Sequence, residues 1–535
     1  MKIYKGKIIT VNANNDIFKY LVEENGVIAY VGDELPLKYT GFEVINLGDG
    51  ALMPAFADTH GHFASFAMLA TTVKLNKAKS NTEMLEIMKK VDGELPKNKT
   101  MLCFGATPNV KEGRLIEKCE IDSVLSHRRI VIICGDGHTA VMNQKALDRM
   151  PQEVKDTHGY NGEKGILKHE SFYKVIDNIL KVVSASDALK AFQGAIDVYI
   201  ENGFGLICAE SGMGLPKDLD VDLLKWLYRG QKSGLQLRIF IQSHDIKKAQ
   251  KRGIDRLGGC FECALDGSIT SSDAAFTEPY MNTDNKGILY YSDEELYQRI
   301  KKIHLAGLAF QMHAIGDAAI NQAARVYKRI LDEYPRENHR HGIIHASFVS
   351  DEAMRIIEDY KIQIIGQPAF IELSEDNFEF MYRQLGERIW AAEPHNEFIK
   401  RGINFSASSD CPVTFPNGIS WIHWMVNNPN TAHRVDLTNA IRVCTVNGYY
   451  NTFDEDKRGT LEVGKIADMI ILDKSPFDVP REKIIDIKVK QTILAGKPWK
   501  KEEKNILTTI LKGVSKTVDF TYDASKIGKQ MGKRG

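Results

Sequence analysis

The chain has 535 residues, 43% of them hydrophobic, so it can bury one enzyme-sized core and carry an accessory domain as well. Its 70 basic and 70 acidic side chains balance, which excludes a global field that would attract nucleic acid or an anionic membrane as partner. No apolar run reaches the roughly 18 residues that a membrane helix needs, and no apolar signal-peptide core follows Met1, so we expect a cytoplasmic protein.

Strand and helix patterns change along the chain and suggest its domains. Short β-strand patterns separated by turn residues occupy positions 7–45, and similar strands return at 459–473. We therefore predict a composite β-sandwich built from residues 1–53 and 456–500. Between these two ends, helical and strand patterns alternate, which is typical of βα units and a parallel sheet.

The segment 81–183 is too long for a simple connection between a strand and a helix. It carries polar, helix-prone stretches and a loop-like stretch at 156–162. We predict an inserted α+β subdomain here that covers the mouth of a functional site. The lysine-rich segment 501–535 is predicted to be a basic C-terminal extension.

The eight cysteines are scattered along the chain, and several lie inside apolar runs. Buried free thiols are therefore expected. Cys260 and Cys263 have C-x-x-C spacing, but no second pair lies at zinc-ribbon distance, which disfavours a redox or structural-zinc role.

Two histidines at strand spacing are the first candidate metal ligands. His60 and His62 lie just after the apolar run 51–57, from which Asp58 and Thr59 separate them. Residues two apart in a strand point to the same face, so both imidazoles can bind one metal ion. A chain with 15 histidines contains about 0.4 His-x-His pairs by chance, so this pair alone is a weak signal.

Three later segments repeat the arrangement, because apolar, β-rich runs lead to His313, to His345 and to Asp410. In barrels of alternating strands and helices, such strand ends converge above the barrel axis, where these enzymes build their active sites. The repetition favours a site to which several strand ends contribute ligands.

The order of these residues resembles the amidohydrolase superfamily, and more closely its amidohydrolase family 3 branch. That branch includes N-substituted formamide deformylases and proteins named as exoenzyme regulators. The resemblance covers residues 1 to about 480, and its blocks are MPAFADTHGH, GDGHTAVMNQKAL, ALDGSITSSDAAFTEPY, QMHAIGDAAI, IIHAS, SASSDCPV and GTLEVGKIADMIILD.

The resemblance implies an α/β fold, a distorted TIM (β/α)₈ barrel formed by residues 54–80 and 184–455. The composite β-sandwich and the inserted subdomain would be attached to it. The first strand would supply His60 and His62, while the fifth, sixth and eighth strands would supply one ligand each, in the order His313, His345 and Asp410.

The same resemblance implies a divalent metal cofactor held by these five residues. The donor set suits Zn²⁺, with Fe²⁺, Mn²⁺ or Co²⁺ left open, in one ion or two, and we favour two. The metal would activate water and polarise a carbonyl group. Asp410 would be the catalytic residue, taking the proton from water and passing it to the leaving nitrogen without a covalent intermediate.

One position departs from the residue pattern of the amidohydrolase family 3 branch. Before Asp266 and Gly267 its members often carry a lysine that takes up CO₂ and bridges two metal ions, whereas this chain has Glu262 there. We predict that the Glu262 carboxylate is the bridging ligand. The alternatives are a single metal ion on fewer ligands, or a Glu262 that only accepts a hydrogen bond next to the site.

Further residues are assigned around the ligands. The family places a substrate-contacting residue at His138, so His138 and Asn143 are predicted to bind substrate, with a structural polar role as the alternative for His138. Asp58 and Asp317 are predicted to support the ligands, by fixing an imidazole tautomer or by starting a helix. Glu210 is interpreted as a solvated or capping residue that could instead line the pocket.

We therefore predict a metal-dependent amidohydrolase that cleaves a carbon–nitrogen bond of a small molecule, such as an N-acyl, N-formyl or cyclic amide. One alternative is a deaminase of amino-heterocycles. Another is a non-catalytic regulatory or binding protein that retains the fold. A homodimer is the expected oligomeric state.

Overall fold

Three β-sheets organise the chain. The structure is a computed structural model that describes residues 1–69, 72–96, 99–135, 137, 139–180, 185–212, 216–230, 234–372 and 378–501. Within these residues, the sheets contain eight, seven and six strands.

The eight-stranded sheet is a nearly closed parallel barrel, which confirms the predicted fold class. Its strands pair in sequence order from the first to the eighth. They are Phe56–Gly61, Phe204–Ser211, Gln236–Ile241, Arg256–Ala264, Ala309–Ala314, Gly342–His345, Gln363–Gly366 and Phe405–Ala407. The first and eighth strands meet where Thr59 Oγ1 donates to Ala407 O at 2.9 Å.

Burial explains the composition of these strands. Helices cover the outside of a parallel barrel while side chains fill its inside, so the strands are apolar throughout rather than alternating. All eight residues of the second strand are buried accordingly. The helices after successive strands include Phe63–Leu69, Leu219–Gly230, Ile246–Arg252, Asp293–Leu305, Asp317–Glu333, Asp351–Asp359, Phe378–Leu385, His395–Lys400, Gly418–Val426, Leu437–Cys444 and Val446–Asn451, and Ala185–Glu201 precedes the second strand.

The seven-stranded sheet combines both ends of the described chain. Its strands are Lys2–Ile9, Ile17–Glu24, Val27–Gly32, Val44–Pro54, Met469–Leu472, Val489–Leu494 and Lys497–Pro498. The strand that ends at Pro54 pairs with one strand from each end of the chain. Only Ala55 separates it from the first barrel strand, so this sheet fixes the entry of the segment that carries His60 and His62.

The third sheet and its helices lie in the segment 73–180. Its strands are Val73–Lys74, Met101–Ala106, Ile130–Cys134, Thr139–Met142, Tyr160–Asn161 and Ile166–Lys168. The helices are Asn81–Asp92, Lys118–Leu125, Gln144–Leu147, Gln152–Lys155 and His169–Leu180. His169 Nδ1 lies 3.1 Å from Asp273 Oδ2, which joins this segment to the loop after the fourth barrel strand. The lid role and the domain boundaries stay predictions.

Three buried histidines form a hydrogen-bonded chain at the opposite end of the barrel from His313 and His345. His341 Nδ1 accepts from the Phe310 backbone amide at 3.1 Å, so a neutral His341 carries its proton on Nε2. That nitrogen lies 2.9 Å from His304 Nδ1, and His339 Nδ1 accepts from the His341 backbone amide. His341 and His339 each accept a backbone N–H at Nδ1, so a proton added to that nitrogen would bring two donors face to face.

These three buried histidines predict that the protein loses stability in acid. Burial and, after it, the positive charge of Arg336 lower the pKa of His304 and of His339 to about 4 and hold that of His341 well below its usual value. Between pH 6.5 and about 4 the unfolded chain therefore binds more protons than the folded one, so the stabilisation is complete above pH 6.5 and is lost as pH falls. The loss is at most about 3 kcal/mol per histidine. We expect His339→Gln to flatten the decline of the melting temperature across this range.

The matched control is His127→Gln, because the His127 side chain is 58% exposed. Metal binding is common to both variants and cancels in the comparison. If the melting temperature of His339→Gln fell with pH as steeply as that of the wild type between pH 6.5 and 4, His339 would not be a source of the acid sensitivity.

Candidate functional site

Five of the residues singled out in the sequence lie together at the carboxyl ends of the barrel strands. His60 lies in the first strand and His62 follows it, His313 and His345 lie in the fifth and sixth strands, and Asp410 follows the eighth. Among the described residues, three groups of ligand atoms that could hold a metal ion lie here, each with its atoms within 4.8 Å of one another. These groups are His60 with His62 and Cys260, Cys260 with His313 and His345, and His60 with His345 and Asp410.

The contacts within the cluster are short and mostly buried. Asp410 Oδ1 lies 3.0 Å from His60 Nε2 and 3.3 Å from His62 Nε2. On the other side, His345 Nε2 lies 2.9 Å from His313 Nδ1. His62 is the most accessible of these side chains, at 14% exposure, so solvent reaches the cluster from its side.

Strained backbone positions help to aim the ligands. His345 and Asp410 have φ angles of 71° and 51°, a region that residues other than glycine seldom adopt. The Asp410 amide donates to His60 O at 2.9 Å, and the His62 amide donates to Cys411 O at 2.8 Å. These bonds tie the first strand to the eighth, so the surrounding structure maintains the unusual angles.

Glu262 lies outside the cluster, which corrects its predicted role as bridging ligand. Its carboxylate Oε1 lies 3.4 Å from His244 Nδ1, and its side chain is 43% exposed. The hydrogen bond from His244 lowers the pKa of Glu262 to about 2. Cys260 lies in the cluster instead, with Sγ 3.5 Å from His313 Nδ1 and 3.9 Å from His60 Nε2.

The physical reason is a bulge in the fourth strand. In a regular strand Cys260 and Glu262 would share a face. Here Gly259 pairs with Met312 but the next pair joins Ala264 to His313, so the register shifts between them. Phe261 has a φ of 54° within this bulge, and the side chains on either side of it point in different directions.

Acceptors outside the cluster fix three of the four imidazoles. His60 Nδ1 lies 3.1 Å from Glu210 Oε1, and His345 Nδ1 lies 2.6 Å from Gln367 Oε1. His313 Nε2 lies 3.3 Å from the carbonyl oxygen of Gly267 and 3.5 Å from Asp266 Oδ1. With these nitrogens donating, the other nitrogen of each ring presents its lone pair to the centre of the site.

Glu210, Gln367 and Asp266 were not assigned this role from the sequence. Glu210 is buried, contrary to its interpretation as a solvated or capping residue. Burial raises its pKa to about 7. Asp266 also accepts from the backbone amides of Ile315 and Gly316 at 3.0 and 2.8 Å, so it fixes the loop that follows His313.

Asp58 and Asp317, the two carboxylates predicted to support the ligands, accept hydrogen bonds from backbone amides and hydroxyl groups rather than from imidazoles. Asp58 accepts from the amide and hydroxyl of Ser409 at 3.0 and 2.6 Å and from the Tyr199 hydroxyl at 2.8 Å. It thereby positions the residue before Asp410. Asp317 begins the helix Asp317–Glu333 and accepts from the amide and hydroxyl of Thr277 at 2.8 and 2.5 Å.

Asn143 has a structural role in place of the predicted substrate contact. Its side chain is fully buried, and its amide oxygen accepts from the backbone amides of Ile130 and Ala146. Its amide nitrogen donates to the carbonyls of Leu125 and Arg128. No hydrogen-bonding group of Asn143 is left for a ligand. His138 lies outside the described residues.

The electrostatics of the cluster suit a cation. Burial raises the pKa of the Asp410 carboxyl, but hydrogen bonds from His60 and His62 outweigh it and hold that pKa well below its usual value. Burial also disfavours the charged form of His62 and so lowers its pKa, but the Cys260 and Asp410 anions outweigh this effect and raise the pKa to about 10. A divalent ion would replace these protons, because metal ligands bind in their deprotonated forms.

Comparisons with known proteins identify the family of this chain. A profile described as the amidohydrolase family matches residues 43–499. The chain is 24% identical to "Putative amidohydrolase YtcJ" of Bacillus subtilis (strain 168), over 92% of this chain and 97% of that protein. It is 20% identical to "N-substituted formamide deformylase" of Arthrobacter pascens, over 93% and 97% of the two chains.

A solved structure shares the fold. The crystal structure of an uncharacterized metal-dependent hydrolase from Pyrococcus furiosus superposes with a TM-score of 0.71 at 23% identity. The match covers 89% of this chain and all of the other. Among the helices of the described residues, none has both the length and the apolar character to cross a membrane.

Proposed function

This chain belongs to the amidohydrolase family of metal-dependent hydrolases, and from that premise we propose that it hydrolyses a carbon–nitrogen bond of a small molecule. The observation that carries this proposal is the convergence of four imidazoles, a carboxylate and a thiol at the carboxyl ends of the barrel strands. Active sites of such barrels lie at this end.

The residues present fit a divalent metal ion. Nitrogen, sulfur and carboxylate oxygen donors are the ligands that Zn²⁺ prefers, so we propose Zn²⁺, with two ions favoured. When bound, the metal supplies a Lewis acid that activates water and polarises the carbonyl under attack. Asp266, Glu210 and Gln367 orient imidazoles towards it, as hydrogen-bond acceptors do in known zinc sites.

Asp410 moves the proton in the proposed reaction. Its Oδ1 atom lies at the cluster, within 3.3 Å of the two imidazoles of the first-strand segment. An ionised carboxylate there can accept a proton from the attacking water and deliver it to the nitrogen of the leaving amine. Asp58 and Ser409 hold the backbone that presents Asp410, so they act as positioning residues.

Aromatic side chains flank the cluster and favour an organic substrate. The Phe261 ring lies 5.6 Å from that of His62, and the Phe370 ring stacks on His345 at 5.7 Å. The two phenylalanine rings suit contact with the apolar part of an N-substituted amide. The name of the Arthrobacter pascens relative suggests N-formyl and N-acyl amines as the first compounds to examine.

The proposal is tested with a panel of N-formyl amines, N-acyl amines, cyclic amides and amino-heterocycles, incubated with the zinc-loaded protein. Release of carboxylate and amine without ammonia supports amide hydrolysis. Ammonia release from the heterocycles would replace it with deamination. A protein that binds zinc but turns over no member of the panel would favour a regulatory or binding role.

The cytoplasmic location and a homodimer are also proposed from the sequence. So is the division of the chain into a barrel at 54–80 and 184–455, a terminal β domain at 1–53 and 456–500, and an insert at 81–183.

A further inference from the structure

Cys260 lies between the two imidazole pairs of the site. Its Sγ atom completes one ligand group with His60 and His62 and a second with His313 and His345. Among the described residues, no other side chain belongs to both of these groups. An atom shared in this way has the position of a ligand between two metal ions.

The backbone around Cys260 is built to bring it there. Gly259 has a φ of 126°, and a Cβ atom on it would lie 2.2 Å from Glu210 Oε2. The positive φ favours glycine at this position, and the missing side chain lets the strand pass close to the carboxylate that orients His60. The Cys260 amide donates to Gln242 Oε1 at 3.2 Å, which fixes the residue just before the bulge at Phe261.

Cys263 shows what a structural thiol looks like on the same strand. It is 1% exposed and packs in the main hydrophobic core, in none of the metal-ligating groups of the described residues. Cys260 is also buried, but its sulfur faces imidazole nitrogens of His313 and His60. Burial alone therefore does not explain the surroundings of Cys260.

We propose that the Cys260 thiolate bridges two metal ions between the His60–His62 pair and the His313–His345 pair. This inference rests on the proposed metal-dependent function. It gives Cys260 the role that the sequence assigned to Glu262. Because thiolates are soft ligands, it also predicts that the site selects Zn²⁺ or Cd²⁺ over Mn²⁺ and Mg²⁺.

The first test replaces the metal with Co²⁺, whose thiolate complexes absorb strongly in the near ultraviolet. We expect this absorption in wild type and its loss in Cys260→Ser, together with a fall from about two bound ions per chain to at most about one. Cys263→Ala is the matched control, since it removes a buried thiol from the same strand and should leave absorption and metal content unchanged. Thermal unfolding of the metal-free variants checks that each one folds.

A second measurement needs no variant. X-ray absorption of the zinc-loaded wild type is expected to show a sulfur neighbour at about 2.3 Å in addition to nitrogen and oxygen. Bound zinc with only nitrogen and oxygen neighbours overturns the thiolate bridge but leaves metal-dependent hydrolysis intact. A wild-type chain that binds neither cobalt nor zinc overturns both proposals.

Discussion

Asp410→Asn is expected to lower kcat by about 10³-fold or more on whichever amide the zinc-loaded protein hydrolyses. Asparagine keeps the size and the oxygen acceptor of aspartate, but it cannot take a proton from water. It also removes the negative charge that faces His60 and His62. Because proton transfer and metal binding both depend on this charge, the effect should be large on kcat. The rate is measured by amine release, with bound metal determined on the same samples.

Asp317→Asn is the control for this substitution. It is the same chemical change at a carboxylate that begins the helix Asp317–Glu333 and accepts hydrogen bonds from Thr277. We expect it to change kcat by less than about threefold. An Asp410→Asn protein that holds wild-type metal and keeps more than a tenth of the wild-type kcat would remove Asp410 from the proton path.

The strand ends of this barrel were predictable because two simple rules operate on them. Parallel strands buried on both faces need apolar residues throughout, and a polar residue at their carboxyl end points to the site. His313 and His345 both follow this pattern, and the structure brings them together with His60. The sequence blocks supplied the order of the strands, which the composition alone could not give.

The sequence analysis considered Cys260 only as part of a C-x-x-C pair and did not make it a ligand of this site, because a bulge changes the alternation of the strand. Counting back from Asp266 leads to Glu262, and a regular strand would have placed Cys260 and Glu262 on one face. The positive φ of Phe261 and the register shift after Gly259 break that rule locally. Two neighbouring glycines before Cys260 were the available signal, since glycine within a strand often marks a bulge or a close backbone approach.

The rule that identified His313, a polar residue at the end of a buried strand, could also have identified Glu210. It lies near the end of the fully buried second strand, after the apolar residues Leu206 and Ile207. A carboxylate at such a place is buried and needs a partner, and His60 provides one. Gln367 carries no comparable signal, because a glutamine near a strand end occurs for many reasons.

Removal of the metal is expected to abolish hydrolysis and to destabilise the fold. The cluster gathers two anions and four imidazoles at the point where the first and eighth strands close the barrel. An ion that binds only the folded chain stabilises it by about 4 kcal/mol at ~1,000 times its dissociation constant. We therefore expect a chelator to lower the melting temperature by several degrees and to reduce turnover below about 1%.

Return of Zn²⁺ to the chelated protein should restore both properties, whereas Mg²⁺ at the same concentration should restore neither. The reason is the donor set, because Mg²⁺ requires oxygen ligands and this cluster offers one carboxylate among imidazoles and a thiol. The comparison thus separates a specific site from general ionic effects on a chain with no net charge. Full turnover with less than about 0.1 metal ion per chain would contradict metal-dependent hydrolysis, whatever the substrate.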